Sequence, residues 1–289
     1  MKRIVLVFFL FSVGFINAQL SDLARIEYSF IPKNKSEDQF TRIRALFNYP
    51  IKLKNDKYIF VGTEYNNIYT NLNDNYPFDN SLIETLTILD INVGYTFKIN
   101  EDWRAGFQIT PRLASTLTEK ITGDDLFLNG GTFFINDKTD DKSLKRPYRL
   151  ILGLTYNSTT GIPFPLPFVS YFRQVNDSWS FNAGVPKSNI KYKIKDKNFL
   201  QAFVGIDGYF AHLQRPIIID DKQADNVSLS VVVSGLGYEY LLRDKLVLYT
   251  YCGYSLRIKN VLRNIDREHV FTLNNVNTFY LRTGIKFKI

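Results

Sequence analysis

Apolar and polar residues alternate one for one along most of this chain. Thr87, Leu89, Ile91, Val93, Tyr95, Phe97 and Ile99 share one face of an extended segment, opposite Asp90, Asn92, Gly94 and Lys98. Successive strand side chains point to opposite sides, so a period of two predicts a strand with one apolar and one polar face. After Asn100-Glu101 the pattern resumes, with Trp103, Ala105, Phe107, Ile109 and Leu113 against Arg104, Gly106, Gln108, Thr110 and Arg112. Together the two runs predict a hairpin whose strands reach the roughly 9–11 residues that a tilted membrane strand needs. The alternation recurs at Ile26–Phe30, Ile43–Tyr49, Ile59–Tyr65, Tyr148–Tyr156, Trp179–Val185, Ile190–Ile194, Leu200–Phe210 and Leu246–Ile258. It returns in the last stretch, where Phe279, Leu281, Thr283, Ile285, Phe287 and Ile289 oppose Tyr280, Arg282, Gly284, Lys286 and Lys288. In water that uncovered apolar face would invite aggregation, whereas in a membrane it would lie against lipid as the closing strand of a barrel.

Some stretches bend the rule. Phe164, Leu166, Phe168 and Phe172 continue the apolar face, but Pro163, Pro165 and Pro167 cannot donate to a ladder and predict interrupted pairing. Val227, Leu229, Val231 and Val233 give way to Leu236, Tyr238 and Tyr240, a phase slip near Ser234-Gly235 that predicts a β-bulge. Residues 119–146 read as the longest loop, with Gly123 and Gly130-Gly131 as turn glycines. Short turns at Lys54–Asp56, Asn100-Glu101, Asp196 and Arg243-Asp244 alternate with longer loops, as in bacterial barrels. Asn176-Asp177-Ser178 resembles a short turn yet falls on the long-loop side, unless the chain makes two strands split at Pro186. The expectation is an all-β, antiparallel up-and-down transmembrane β-barrel of about twelve strands, within a range of roughly ten to fourteen. A soluble β-sandwich also alternates, but it rarely combines an export signal with strands this long.

Composition narrows the picture. Lys2 and Arg3 precede an apolar run from Ile4 to Ile16, and Ile16-Asn17-Ala18 supplies a small residue before Gln19. This predicts an export signal over residues 1–18, leaving 19–289 as the barrel. No second long apolar run follows, which excludes a helical inner-membrane protein. Aromatic content is 15%, and mean hydropathy is only −0.14 because apolar and polar residues cancel within each strand. Cys252 is the one cysteine, so neither an intrachain disulfide framework nor a zinc cluster is available. A net charge of +8 fits nucleic acid in a cytoplasmic protein; in an exported chain it points to a basic barrel lining or an anionic surface partner.

The Ile16–Gln19 signal end, the strand starts at Asn100-Glu-Asp-Trp103 and Asn176-Asp-Ser-Trp179, and the terminal strand carry a resemblance. Over its mature length the chain resembles the outer-membrane β-barrel proteins of Gram-negative bacteria, especially uncharacterised barrels of similar size. That resemblance implies outer-membrane lipid as surroundings and recognition of the C-terminal strand by the barrel-assembly machinery. Such strands usually end in an aromatic residue; here Phe287 lies two before Ile289.

Candidate chemistry lies on the polar faces. Arg42, Arg44, Arg104, Arg112, Arg149, Arg257, Arg282 and Lys286 are expected to line the lumen, with Arg25, Arg173, Lys191 and Lys193 beside them and Glu27, Glu64, Asp90, Asp207 and Glu239 interspersed. Rings of Arg and Lys lower the barrier for anions, which predicts a passive channel for small anionic solutes. The alternative is a non-conducting barrel whose Arg and carboxylate groups pair across a closed interior while its loops bind a partner. His212 and His269 are the only imidazole bases, and neither has a nucleophile motif beside it, so no enzyme is expected. Asp124-Asp125, Asp140-Asp141 and Asp220-Asp221 lack the spaced ligand series of a calcium site and read as solvated loop charge. No cofactor, no nucleic acid and a monomeric state complete the expectation.

Overall fold

A computed structural model describes residues 22–141, 143–158 and 165–288. The expected export signal at residues 1–18, together with Pro163, Phe164 and Ile289, lies outside the described residues. The first eight strands are β1 (Asp22–Ile31), β2 (Gln39–Lys52), β3 (Tyr58–Asn71), β4 (Thr85–Lys98), β5 (Trp103–Ser115), β6 (Leu126–Asp137), β7 (Tyr148–Tyr156) and β8 (Leu166–Gln174). They are followed by β9 (Trp179–Val185), β10 (Lys187–Lys195), β11 (Asn198–Ile219), β12 (Lys222–Arg243), β13 (Leu246–Arg263), β14 (His269–Thr272) and β15 (Thr278–Lys288). From β1 to β13 each strand pairs antiparallel with the next; β13 then pairs with β15, and β15 with β1. Among the described residues the result is a closed antiparallel barrel of 14 strands, with β14 standing outside against the top of β13. Closure leaves the wall without an open edge.

The expected count of about twelve is therefore corrected to 14. The strand β6 lies inside the supposed loop 119–146, where Gly130-Gly131 sits mid-strand opposite Gln108 and Ile109 instead of turning the chain. Its Asn129-Gly-Gly131 centre lacks large side chains, so the sequence signal of a strand fades there although the backbone ladder continues. The pair β9 and β10 meets at Pro186, so Asn176-Asp177-Ser178 falls on the same barrel end as Asn100. In both turns one carboxamide oxygen accepts two backbone N–H groups: Asn100 from Asp102 and Trp103 at 3.0 and 2.9 Å, Asn176 from Ser178 and Trp179 at 2.9 and 2.8 Å. Asp220 and Asp221 both adopt positive φ and form the two-residue turn of the long β11–β12 hairpin.

Two phase readings are also corrected. In β8 the register places Pro167, Val169, Tyr171 and Arg173 outward with the apolar residues of β7, and turns Leu166, Phe168 and Phe172 inward. Phe168 packs edge-on against Phe133 inside the barrel, so an apolar residue here belongs to the interior. Arg173 sits on the outer face near the strand end, where its guanidinium donates to the Tyr171 hydroxyl at 3.1 Å. In β12 no register slip occurs at Ser234-Gly235; pairing with β11 runs unbroken from Asn226 to Tyr240. The apolar set changes because the inner surroundings change: Leu229 and Val231 face a core, whereas Glu239 faces charge. The irregularities in this strand lie at Ser230/Val231 and Leu241/Arg243, both against β13.

The wall is uneven. Strands β7 to β10 are short, while β11 and β12 each run 22 residues. Above Gly205, β11 has no β10 partner and leaves the wall. It crosses the mouth to β5, where the Thr116 N–H donates to the His212 carbonyl at 3.2 Å. Phe210, expected on the outer face, is buried under this crossing, as are Leu213, Ile217 and Val227. Ile31, Phe40, Ile68, Leu72, Ile83 and Leu86 from the opposite rim complete an apolar core that closes the loop end. Burial of that much apolar surface supplies the driving force for the crossing.

Candidate functional site

Below the cap the interior is held by ion pairs that span the lumen. Arg42 on β2 makes a two-point contact with Asp207 on β11, at 2.9 and 2.7 Å. Arg282 on β15 reaches the same carboxylate at 2.5 Å. Five neighbouring steps of the ring separate β2 from β11, so this Arg–Asp–Arg bar crosses a chord of the barrel. Planar guanidinium forks suit such paired contacts, and their attraction strengthens away from bulk water.

Two further networks flank the bar. Glu27 on β1 is approached by Arg44 at 3.5 Å, Arg25 at 3.6 Å and Arg282 at 3.9 Å, and accepts a hydrogen bond from the Tyr249 hydroxyl at 2.7 Å. Arg44 also forks onto Glu64 at 2.8 and 2.7 Å. Nearer the short-turn end, Glu239 receives Lys191 at 2.8 Å, Lys286 at 2.7 Å and the Tyr251 hydroxyl at 2.6 Å, with Lys288 at 3.6 Å. Five carboxylates, Asp22, Glu27, Glu64, Asp207 and Glu239, thus face seven cations: Arg25, Arg42, Arg44, Arg282, Lys191, Lys286 and Lys288. Lys187 adds positive charge over the Phe203 and Tyr251 rings, at 5.6 and 5.2 Å.

The other residues singled out from the sequence occupy separate surroundings. Arg112 forks onto Asp90 at 2.6 and 2.7 Å. Arg104 lies over Tyr58 and donates to the Asp56 carbonyl at 2.5 Å, near the β2–β3 turn. Arg149 approaches Asp137 at 3.9 Å. Arg257 stands under the cap, over the Phe40 ring, and donates to the Asn274 carbonyl at 2.6 Å. Arg42, Arg44, Arg282 and Lys286 therefore belong to connected networks, whereas Arg104, Arg112, Arg149 and Arg257 are dispersed around the wall. His212 lies within β11 in the cap and His269 opens β14, so the two imidazoles are not brought together.

Sequence reasoning missed the loop contacts that fasten the mouth. Tyr76 donates to Asp38 at 2.5 Å and accepts from the Asn274 N–H at 3.1 Å, joining the β1–β2, β3–β4 and β13–β15 connections. Its ring stacks on Phe78 and meets Phe271 edge-on. Burial and the hydrogen bond to Asp38 push the Tyr76 phenol well above its ordinary range. The signal available was Tyr76 and Phe78 as aromatics in an otherwise Asn- and Asp-rich loop. Among the described residues no cluster of His, Cys, Asp and Glu is arranged to hold a metal ion.

A family model described as "Domain of unknown function (DUF6268)" matches residues 21–288. The chain belongs to the DUF6268 family. None of the curated proteins matches it. Among solved structures, this DUF6268 chain is similar to LpxR from Salmonella typhimurium, with 7% identity, 92% of this chain and 99% of that chain covered, and a TM-score of 0.42. It is also similar to the NanC porin, at 9% identity, 92% and 100% coverage and a TM-score of 0.39. A deletion mutant of TodX, described as a monoaromatic hydrocarbon channel, gives 9% identity, 93% and 91% coverage and a TM-score of 0.40.

Proposed function

We propose that this DUF6268 barrel spans the outer membrane and passes small solutes, anions in preference to cations, through a lumen closed at rest by the β11–β12 hairpin. Ile26, Ile43, Phe107, Leu154, Ile190 and Leu236 are exposed on the outer faces and form the apolar belt that lipid would cover. Export by residues 1–18, assembly through β15 and function as a monomer belong to the same proposal. The observation that carries anion preference is the excess of seven cations over five carboxylates in the connected networks. A net positive lining lowers the electrostatic barrier for anions and raises it for cations. Reversal potentials under a salt gradient in a planar bilayer test this; cation preference would overturn it.

The second reading, a non-conducting barrel that acts through its surface, is favoured by the apolar cap and the Arg42–Asp207–Arg282 bar. Absence of conductance steps from both the intact protein and a variant with a shortened hairpin would select that reading.

A further inference from the structure

We infer that the wall formed by β2 to β7 carries a binding pocket for a single neutral sugar ring. This goes beyond the channel reading, adding a neutral ligand on one side of the lumen. The pocket measures about 230 Å³. That is below the ~300–1,000 Å³ typical of drug-sized ligands. One hexose fits such a space, and an extended oligosaccharide does not.

Its chemistry excludes a charged ligand. The ionised side chains lining it cancel in pairs: Arg44 with Glu64 at 2.7 Å and Arg112 with Asp90 at 2.6 Å. The remaining lining includes Asn92, Gln108, Thr110, Asn129 and Thr155, all neutral hydrogen-bonding groups. Gln108 donates through its nitrogen to Asn92 Oδ1 at 3.1 Å and to Thr110 Oγ1 at 3.0 Å, and Thr110 Oγ1 donates to Asn92 Oδ1 at 2.8 Å. These bonds use the Asn92 oxygen and the Gln108 nitrogen. They leave a carboxamide donor on Asn92 and a carboxamide acceptor on Gln108. Adjacent hydroxyls of a sugar match that pair, since each hydroxyl both donates and accepts.

The third component is an aromatic platform. The ring of Phe133 lies against the backbone of Gly153 and Gly131: a Cβ on Gly153 would stand 2.7 Å from Phe133 Cδ1, and one on Gly131 would stand 3.0 Å from Cζ. Two side-chain-free positions on adjacent strands thus let the ring lie along the wall at the pocket. Phe168 stands perpendicular to this ring at 5.5 Å between centroids, and the part of the negative π-face that Phe168 leaves uncovered would take the weakly positive C–H face of a pyranose.

Calorimetric titration of the detergent-folded barrel tests the assignment. The probes are glucose, galactose and N-acetylglucosamine, with gluconate and glucosamine as charged counterparts and dextran as a chain too large to enter. At least one neutral monosaccharide binds saturably, and Phe133→Ala and Gln108→Ala each weaken it at least tenfold while keeping heat-modifiable gel migration. If Phe133→Ala fails to fold, Gln108→Ala alone decides. Four results overturn the inference: no saturable binding by any neutral sugar, gluconate or glucosamine binding tighter than its parent, dextran binding as tightly as glucose, or unchanged affinity in Gln108→Ala. Titration does not depend on conduction. Binding without conductance removes the channel and keeps the pocket, and conductance without binding does the reverse.

Discussion

The two halves of β12 face opposite demands within one unbroken strand. In the lower half Leu236, Tyr238 and Tyr240 point outward and Glu239 points into a charged lumen. In the upper half Leu229, Val231 and Val233 point inward to the cap, and Ser228 and Ser230 take the other face. Leu236 is 65% exposed and Leu229 only 5%, although both are leucines on the same strand. Alternation therefore reports that a strand has two unlike faces, and the surroundings decide which face is inside. The polarity inversion marks the height at which the barrel wall becomes a folded cap.

Substitutions at the junction and on either side of it sharpen that contrast. The largest effect is expected from Asp207→Asn, which keeps shape but removes the charge shared by Arg42 and Arg282. Breaking a buried pair in this way costs about 3–5 kcal/mol, read as a lower urea midpoint for unfolding in vesicles. Next comes Leu236→Arg, which puts a charge on the outer belt and costs roughly 2–4 kcal/mol in lipid, with little change in detergent. An equal loss in both media would contradict a lipid-facing Leu236. Leu229→Asn is expected to cost about 1–3 kcal/mol, confined to the cap and seen as protease cleavage of residues 213–225 while the barrel still migrates as folded. Cleavage unchanged from the parent would place Leu229 outside the cap core.

The smallest effect concerns pH. Tyr76 has an ordinary value of 10.0, and burial with the Asp38 hydrogen bond raises it in the folded cap. The neutral phenol is the favoured form. Its contribution is therefore complete below pH about 10 and lost as pH rises through the higher folded value. Cap opening, followed by cleavage of residues 213–225, is expected to begin at lower pH in Asp38→Asn than in the parent. An identical alkaline profile would remove the Tyr76–Asp38 contact as a fastening.

Most of the wall was legible because each strand with an apolar outer face and a charged inner face obeys a period of two. The inward-facing Arg44 and Glu64 and the outward Phe47 and Tyr65 follow that rule without exception. Legibility failed where the inside stopped being polar. Phe168 and Phe172 are interior aromatics, so apolarity pointed to the wrong face and left Arg173 assigned inward. In β6 the small centre Asn129-Gly130-Gly131 erased the signal, although its backbone pairs fully with β5. The partners of Arg42 and Arg282 lie on β11, and strand alternation carries no information about which groups meet across a lumen. Nor could the two-residue turn at Asp220-Asp221 announce that its hairpin folds over the mouth.

The central claim is that a net basic lumen is closed at its mouth by the upper half of β11–β12. Residues 213–225 can be replaced by an Asn-Gly turn between His212 and Asn226, which already pair. Single-channel recording of this shortened protein beside its parent is then decisive. Larger and more frequent conductance steps in the shortened form, with anion preference, are the predicted result. Steps identical in both proteins, or preference for cations, would contradict the account.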